Sequence, residues 1–355
     1  MSTKGTHSYQ EIMSQPEVLE SALGEFYENI GHIDRLWQSQ TFEQVIFTGC
    51  GSTYHLAKTA AALSQSLTGT PASFYPGSEL ALFPEITYPK NKSMLLVALS
   101  RSGETTETLE AIPVFRAVTG GKVLAITCDS HSPLVELADF SLAVDAAQEK
   151  SIAQTRSFAS MLLLSQALAG YLGGVDLDLL SAVPTSVGRV LGEYEDLAKA
   201  LGTNREIERI FFLGSGYLYG LACEAMLKMK EMSLSYSEAY QTLDFRHGPM
   251  SMVNQHTLVV GLLSESALAH EADVMKDMRA LGAQIWSLSE KPYAGLDEIG
   301  DLTLLETGLP EWARTGIYLP ALQLFAYYRS ISKGLDPDKP NNLDAVVHLS
   351  TMSKK

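Results

Sequence analysis

The sequence has few cysteines and lacks both a long apolar run and a signal peptide. Its three cysteines, Cys50, Cys128 and Cys223, stand far apart in 355 residues, without a CxxC pair or a histidine cluster. This number and spacing argue against a disulfide framework and against a zinc site. No apolar stretch is long enough to span a bilayer, and the first twenty residues lack the basic-then-apolar order of a secretion signal. We therefore expect a cytoplasmic protein with no membrane partner.

Positive charge is also scarce. The chain has 26 Lys and Arg residues against 41 Asp and Glu residues, which gives a formal net charge of −15. Nucleic-acid binding usually needs a basic stripe, and none is present, so we expect no nucleic-acid partner. With 46% hydrophobic and 19% charged residues the chain is typical of a globular protein, and its length favours at least two domains.

A pattern of strand, glycine turn and helix occurs twice. VIFTGCGSTY at 45–54 is matched by IFFLGSGYLY at 210–219, and the first glycines are 214 − 49 = 165 residues apart. A period of this size indicates a duplicated domain. Further strands alternate with helices in both copies, which predicts an α/β protein with parallel sheets covered by helices on both faces. Strands are predicted at 45–48, 94–99, 122–127, 140–144, 209–213, 257–263 and 283–287.

The pattern also predicts domain limits. We expect a helical segment at 1–40, broken at Gln15-Pro16, a first domain at 41–190 and a second at 191–335. The boundary near residue 190 rests on Pro184 and on the polar stretch 192–205 that lies between the copies. We expect residues 336–355 to form a C-terminal tail.

The two glycine turns do not match a dinucleotide-binding fingerprint. Tyr54 and Tyr219 stand where the third glycine of G-x-G-x-x-G would be, and no acidic residue is placed to bind a ribose. A dinucleotide cofactor is therefore disfavoured. The turns would still present backbone N–H groups at a helix N-terminus, where an anion is favoured.

The loop after the second predicted strand is rich in hydroxyls. ALSRSGETTETLEAI at 98–112 places Ser100, Ser102 and Thr105 around Gly103. It lacks the lysine and the acidic metal ligand that a nucleotide polyphosphate with Mg²⁺ requires, so a single phosphate monoester suits it better. Ordinary helix capping would also explain these residues. Three hydroxyls in one turn, opposite a second glycine turn, favour the phosphate site.

Two further blocks carry candidate catalytic groups. In EAMLKMKEMS at 224–233, Lys228 and Glu231 are placed to pair at i, i+3 on the helix face that also carries Glu224. Such a face is usually solvated, but the methionines and leucine around it favour partial burial, in which a carboxylate can act as a general base. In FRHGP, His247 precedes a rigid Gly-Pro turn, and structural and catalytic roles are equally supported.

Together these blocks, with EKSIAQTRSF, EAYQTLDFRHGP and KGLDPDKPNNLDAVV, resemble the tandem sugar-isomerase (SIS) domain family. The similarity is greatest to the isomerase half of glucosamine-6-phosphate synthase and to stand-alone deaminases and deglycases. The resemblance implies two α/β SIS domains, each a flavodoxin-like three-layer sandwich around a parallel five-stranded sheet, with the C-terminal tail over the active site. It implies sugar-phosphate-binding residues at Ser52, Thr53, Ser100, Ser102, Thr105, Glu149 and Gln154; Arg101 of the same loop is predicted to join them because of its charge. It further implies catalytic residues at Glu231 (the isomerase base) and His247 (ring opening); Lys228 is added to this catalytic set because it is placed to pair with Glu231. In the family this histidine comes from the neighbouring subunit, which implies a homodimer.

The chain departs from the family pattern in three ways. No glutaminase domain is present and position 2 is serine rather than cysteine, so we expect no ammonia production from glutamine. Ala345 takes the place of the synthase's imine-forming lysine, and Arg101 replaces a neutral loop residue with a charge that could grip phosphate.

We expect deamination of glucosamine 6-phosphate to fructose 6-phosphate and ammonia. No metal or organic cofactor is needed, because the C1 oxygen of the sugar stabilises the carbanion. Alternatives are a fructosamine-6-phosphate deglycase, a galactosamine- or tagatose-6-phosphate isomerase-deaminase, and a non-catalytic sugar-phosphate sensor.

Overall fold

The computed structural model describes residues 4–347 and 349. The chain divides into two compact units, which we name after the two copies of the repeated pattern. The first-repeat unit contains Glu17–Glu149, Arg156–Ser181 and the chain from Asp344 onward. The second-repeat unit contains the chain up to Pro16, together with Lys150–Thr155 and Ala182–Leu343. Helix α1 (Thr6–Met13) belongs to the second-repeat unit, and the helical chain breaks after it at Ser14.

The first-repeat unit is built on a parallel five-stranded sheet of order β2-β1-β3-β4-β5. This is the flavodoxin-like order 2-1-3-4-5. Helices α4 and α9 pack on one face of the sheet, and α5, α7 and α8 pack on the other. The strands are β1 (Gln44–Gly49), β2 (Ala72–Pro76), β3 (Met94–Ser100), β4 (Lys122–Thr127) and β5 (Phe140–Ala143). The helices from α2 to α9 are α2 (Gln15–Glu28), α3 (Ile30–Gln38), α4 (Ser52–Thr68), α5 (Gly77–Leu82), α6 (Pro84–Thr87), α7 (Thr106–Thr119), α8 (Pro133–Leu137) and α9 (Arg156–Leu172).

The central strand of this sheet is buried on both faces. All seven residues of β3 are buried. On one face of the sheet, the side chains of β3 pack with those of β1 and β4 against Ile112 and Phe115 of α7 and Leu134 of α8. A strand covered on both faces reads as a continuous apolar run, which is why the sequence shows it clearly.

The second-repeat unit repeats the same topology. Its parallel sheet has the order β10-β9-β8-β6-β7, which is again 2-1-3-4-5 when counted from β6. Helices α11 and α14 pack against each other on one face, where Phe325 of α14 contacts Trp286 of β9, and α12 packs on the other face. The strands are β6 (Arg209–Gly214), β7 (Tyr236–Tyr240), β8 (Thr257–Leu262), β9 (Gln284–Ser289) and β10 (Asp301–Leu304). The helices are α10 (Val183–Thr203), α11 (Leu218–Ser233), α12 (Leu268–Ala280), α13 (Glu311–Arg314) and α14 (Leu319–Ser332).

The predicted fold class is confirmed, with three strands that the sequence did not show. The missing strands, β2, β7 and β10, each lie at the edge of a sheet. Most of their residues are partly exposed, so they lack the apolar run that marks a central strand.

The predicted domain limits stay predictions. Helix α10 runs without a break through residue 190, because its Pro184 lies in the first turn, where proline is tolerated. The chain passes between the two units at several points, one of which lies between Ser181 and Ala182. Of the predicted segments, residues 1–3, 348 and 350–355 lie outside the described residues. Within residues 4–347 and 349, every helix is too short or too polar to cross a bilayer.

Candidate active site

The hydroxyl loop leaves the carboxyl end of strand β3. The Oγ atom of Ser100 accepts a hydrogen bond from the N–H of Gly103 (3.1 Å) and lies 3.3 Å from Oγ1 of Thr105. The Oγ atom of Ser102 accepts one from the N–H of Glu104 (3.2 Å). Gly103 has φ +64°, in the left-handed region that glycine tolerates best. The three predicted hydroxyls therefore lie in one turn, and two of them also fix its shape.

The first glycine turn is held by a threonine. Oγ1 of Thr53 accepts a hydrogen bond from the N–H of Cys50 and donates one to the carbonyl of Cys50, both at 2.9 Å. A side chain at Gly49 would lie 2.5 Å from that same Oγ1, so this position needs glycine. Thr53 thus has a structural role in the turn. Ser52, the first residue of α4, is buried beside it.

A cavity of about 190 Å³ opens beside the hydroxyl loop, within the first-repeat unit. Its walls include two acidic side chains, one guanidinium and one amide. The lining residues are Arg101, Ser102, Asp129, Gln148, Glu149, Ala345 and Val346. The predicted residues Arg101, Ser102 and Glu149 are therefore brought together here. The sequence did not point to Asp129, Gln148 or Val346.

Arg101 links this loop to two other parts of the chain. Its Nη1 lies 3.4 Å from Oε2 of Glu149, and its Nη2 donates a hydrogen bond to the carbonyl of Ala345 (3.0 Å). The side chain of Glu149 is buried and also accepts hydrogen bonds from the N–H and the hydroxyl of Ser157. Arg101 was predicted to bind phosphate. In the structure its guanidinium contacts the carboxylate of Glu149 and the carbonyl of Ala345 in the tail.

The tail makes two further hydrogen bonds with the first turn of α7. Oγ1 of Thr106 donates to the carbonyl of Val347 (3.4 Å) and accepts from the N–H of Leu349 (3.1 Å). With Arg101, these contacts hold the tail against the hydroxyl loop. The described part of the tail therefore forms one wall of the cavity.

Helix α11 of the second-repeat unit carries a buried lysine between two carboxylates. Nζ of Lys228 forms a hydrogen-bonded ion pair with Oε2 of Glu231 and lies 3.5 Å from Oε1 of Glu224. The side chains of Lys228 and Glu224 are 1% and 0% exposed, whereas that of Glu231 is 19% exposed. A solvated charged face would not show this burial. Glu231 is the member of the group that a ligand can reach.

His247 and Gln154 also lie in the second-repeat unit. His247 ends a 3₁₀ turn (Asp244–His247) and is exposed, and the following Gly248 has φ +144°. Arg246 beside it pairs with Asp277, which fixes the turn. The side-chain oxygen of Gln154 is buried without a hydrogen-bond partner among the described residues.

Cysteine and metal chemistry find no support in the described part of the chain. Burial raises the pKa of the Cys50 thiol and that of the Cys128 thiol, so both are protonated at neutral pH and are poor nucleophiles. Among residues 4–347 and 349 there is no group of three His, Cys, Asp or Glu side chains that could hold a metal ion.

Known proteins share both the sequence pattern and the fold. The SIS domain matches this chain twice, at residues 41–170 and 205–313. A glutamine–fructose-6-phosphate aminotransferase from Methanothermobacter thermautotrophicus is 29% identical over 350 residues, which are 97% of this chain and 58% of that relative. The chain thus spans little more than half of the length of this curated relative.

Two solved structures are similar over nearly their whole length. Glucosamine-6-phosphate deaminase from Thermotoga maritima has a TM-score of 0.80 and 27% identity, covering 97% of this chain and 100% of that one. Tagatose-6-phosphate ketose/aldose isomerase from Escherichia coli has a TM-score of 0.87 and 23% identity, covering 96% of each chain, which shows the shared fold. With two SIS-domain matches on two sheets of the same topology, the chain belongs to the SIS-domain family.

Proposed function

We propose that this protein deaminates glucosamine 6-phosphate to fructose 6-phosphate and ammonia. The observation that carries the proposal is the buried Lys228 of α11, paired with the partly exposed Glu231. A carboxylate fixed in this way is suited to shuttle a proton. The similarity to a glucosamine-6-phosphate deaminase supports the choice of reaction.

The hydroxyl loop, the glycine turn at Ser52 and the cavity beside the loop support an amino-sugar phosphate as the substrate. The hydroxyls of Ser100, Ser102 and Thr105 suit a phosphate monoester, and the turn at Ser52 adds N–H groups at the start of α4. Asp129 and Glu149 against one guanidinium leave the cavity lining with an excess of negative charge, which suits an ammonium group.

The reaction is balanced without a cofactor. In the proposal His247 opens the ring and exposes the C1 aldehyde. Glu231 then removes the C2 proton to give an enolamine, and returns a proton to C1. The product is a C2 imine, to which water adds; ammonia leaves and the C2 ketone of fructose 6-phosphate remains. Lys228 pairs with Glu231 and orients it for the first step.

An ammonia-release screen tests the proposed substrate. We expect release from glucosamine 6-phosphate to exceed that from galactosamine 6-phosphate and from fructosamine 6-phosphates. A reversed order would replace the proposed substrate with that of an isomerase-deaminase or a deglycase. Tight binding of a sugar phosphate without ammonia release, isomerisation or proton exchange would favour a sensor and refute the enzyme proposal.

A subunit-mixing experiment tests whether His247 serves the neighbouring subunit of a homodimer. Glu231→Gln and His247→Asn variants are each expected to be inactive. If the histidine acts across the interface, each mixed dimer regains one intact site, so an equal random mixture recovers about a quarter of wild-type activity. Mixtures that stay inactive would show that both residues act from one chain.

A further inference from the structure

The second sheet has its own switch point, between the neighbouring strands β6 and β8. The helices that follow these strands, α11 and α12, pack on opposite faces, and ligands bind at the carboxyl ends of the strands at such a point. The glycine turn after β6 keeps the shape of the turn after β1, since Gly216 has φ +55° and Gly51 has φ +57°. The second-repeat unit therefore retains the backbone of a ligand-binding turn.

A buried carboxylate lies at this switch point. Glu271, in the first turn of α12, is 0% exposed, and its Oε2 accepts a hydrogen bond from the N–H of Ser264 (2.6 Å) in the loop after β8. Burial raises the pKa of Glu271, and the N–H of Ser264 and the hydroxyls of Ser215 and Thr242 oppose that rise. Ser215 lies in the glycine turn after β6, and Thr242 follows β7. Groups from the ends of three strands thus surround one carboxylate.

Hydrogen-bond donors surround this carboxylate, but no cation pairs with it. Among residues 4–347 and 349, no basic side chain lies within ion-pair distance of Glu271. Oε1 of Glu271 and Oγ1 of Thr242 are fully buried, and neither completes a hydrogen bond within the described residues. Neutral donors around a buried anion are typical of a site for a bound anion.

A purely structural role as a helix cap does not explain Glu271. The hydroxyl of Ser264 already accepts a hydrogen bond from the N–H of Ala267 (3.1 Å), the residue that precedes α12, and so caps this helix. A cap would also not require a fully buried oxygen without a partner, which costs free energy.

Little free space is left beside the loop after β8. The cavity there has a volume of about 30 Å³, which admits water but no larger ligand, whereas the cavity beside the hydroxyl loop has about 190 Å³. Both loops have five residues between strand and helix. At the third and fifth positions the first loop has Gly103 and Thr105, and the second has Glu265 and Ala267. The second loop has therefore lost the glycine and the last hydroxyl of the first.

We propose that the second-repeat unit retains an anion-binding site at its switch point, and that the carboxylate of Glu271 occupies this site as a built-in ligand. An external anion is thereby excluded from the second sheet, while the hydroxyl loop of the first stays open. Once emptied, the site would accept a small carboxylate such as formate. The proposal goes beyond the proposed function and does not depend on which sugar phosphate the enzyme converts.

Formate rescue of Glu271→Ala tests the proposal. Thermal unfolding is measured at neutral pH in formate and in chloride of the same ionic strength. The substitution leaves a gap among the donors, so we expect a lower melting temperature than that of the wild type in chloride. Formate should raise it in a saturable manner, by about 2–5 °C at ten times its dissociation constant, and should act on the wild type no more than chloride does.

Met275→Ala on the same helix is the matched control. The side chain of Met275 is equally buried but packs in the apolar core of the unit, where a gap stays empty. This variant should lose stability without responding to formate. Glu271→Gln, which fills the site with a neutral side chain of the same size, should not respond either.

An identical response of Glu271→Ala to formate and to chloride would overturn the proposal. So would an equal response to formate in Met275→Ala or Glu271→Gln. If Glu271→Ala is unfolded in chloride, refolding from urea in formate replaces the melting curve: recovery of the wild-type circular dichroism supports the proposal, and failure to recover it overturns the proposal. None of these measurements uses turnover, so a failure of the proposed deamination would leave their outcome unchanged.

Discussion

Substitution of Gly103 by alanine should damage both the stability of the first-repeat unit and its cavity. A non-glycine residue at φ +64° costs about 1–2 kcal/mol. The new Cβ would lie 2.1 Å from Oγ and 2.3 Å from Cβ of Ser132, a buried residue that must therefore move. Overpacking of this kind costs about 1–3 kcal/mol more. The free energy of unfolding should fall by about 2–5 kcal/mol in total.

The same clash should weaken substrate binding. The Ser132 hydroxyl donates a hydrogen bond to the carbonyl of Asp129 (2.8 Å), and Asp129 lines the cavity. A shift of Ser132 therefore moves a cavity wall, so KM should rise about tenfold or more.

Gly120→Ala is the matched control for this prediction. Gly120 also has φ +64°, but an added Cβ would meet no atom within 4 Å. It should lose only about 1–2 kcal/mol and keep the wild-type KM. Urea denaturation gives the stability difference and steady-state kinetics give KM. Equal stability and equal KM for the two variants would refute this account of the loop.

Three other outcomes follow from the same structure. Ser102→Ala should raise KM about tenfold with kcat nearly unchanged, because phosphate is held equally in the ground and transition states; a large loss of kcat at constant KM, in steady-state assays, would contradict this. Lys228→Met should abolish turnover and lower the free energy of unfolding by about 3–5 kcal/mol, because it leaves the buried Glu224 without its cation. Lys230→Met, on the exposed side of α11, should change neither turnover nor stability in the same assays. The Ser130 hydroxyl lowers the pKa of Asp145, so the stabilisation of the fold by Asp145 is complete above its ordinary pKa and is lost as the pH falls through the lowered value. NMR titration of Ser130→Ala should show a higher pKa for Asp145 than in the wild type. An unchanged pKa would contradict the assignment.

The central strands of both sheets and the edge strand β5 could be predicted from the sequence, but the other three edge strands could not. Central strands are buried on both faces, so their apolar runs and the glycine turns after them are visible without a structure. Edge strands such as β7 (Tyr236–Tyr240) take their conformation from pairing with a neighbour, which a local pattern does not show.

The residues of the candidate site also fall into two groups: those that a local motif shows and those that only the fold brings together. The hydroxyls of the loop are neighbours in sequence and could be recognised as one motif. The contact of Arg101 with Ala345 joins residues 244 positions apart, so no local pattern could show it. The position of Asp129 in the sequence gives a weak indication of a site residue. It comes two residues after β4 ends at Thr127, at the carboxyl end of the strands, where ligands bind in such sheets.

The most direct test of the central claim is the reaction of glucosamine 6-phosphate in D₂O, followed by NMR and ammonia assay, with wild type and Glu231→Gln. We expect the wild type to release ammonia and fructose 6-phosphate in equal amounts, with deuterium at C1 of the product. Glu231→Gln should bind the substrate as well as the wild type and turn it over at least about a hundredfold more slowly. Ammonia release at the wild-type rate by Glu231→Gln would contradict the account.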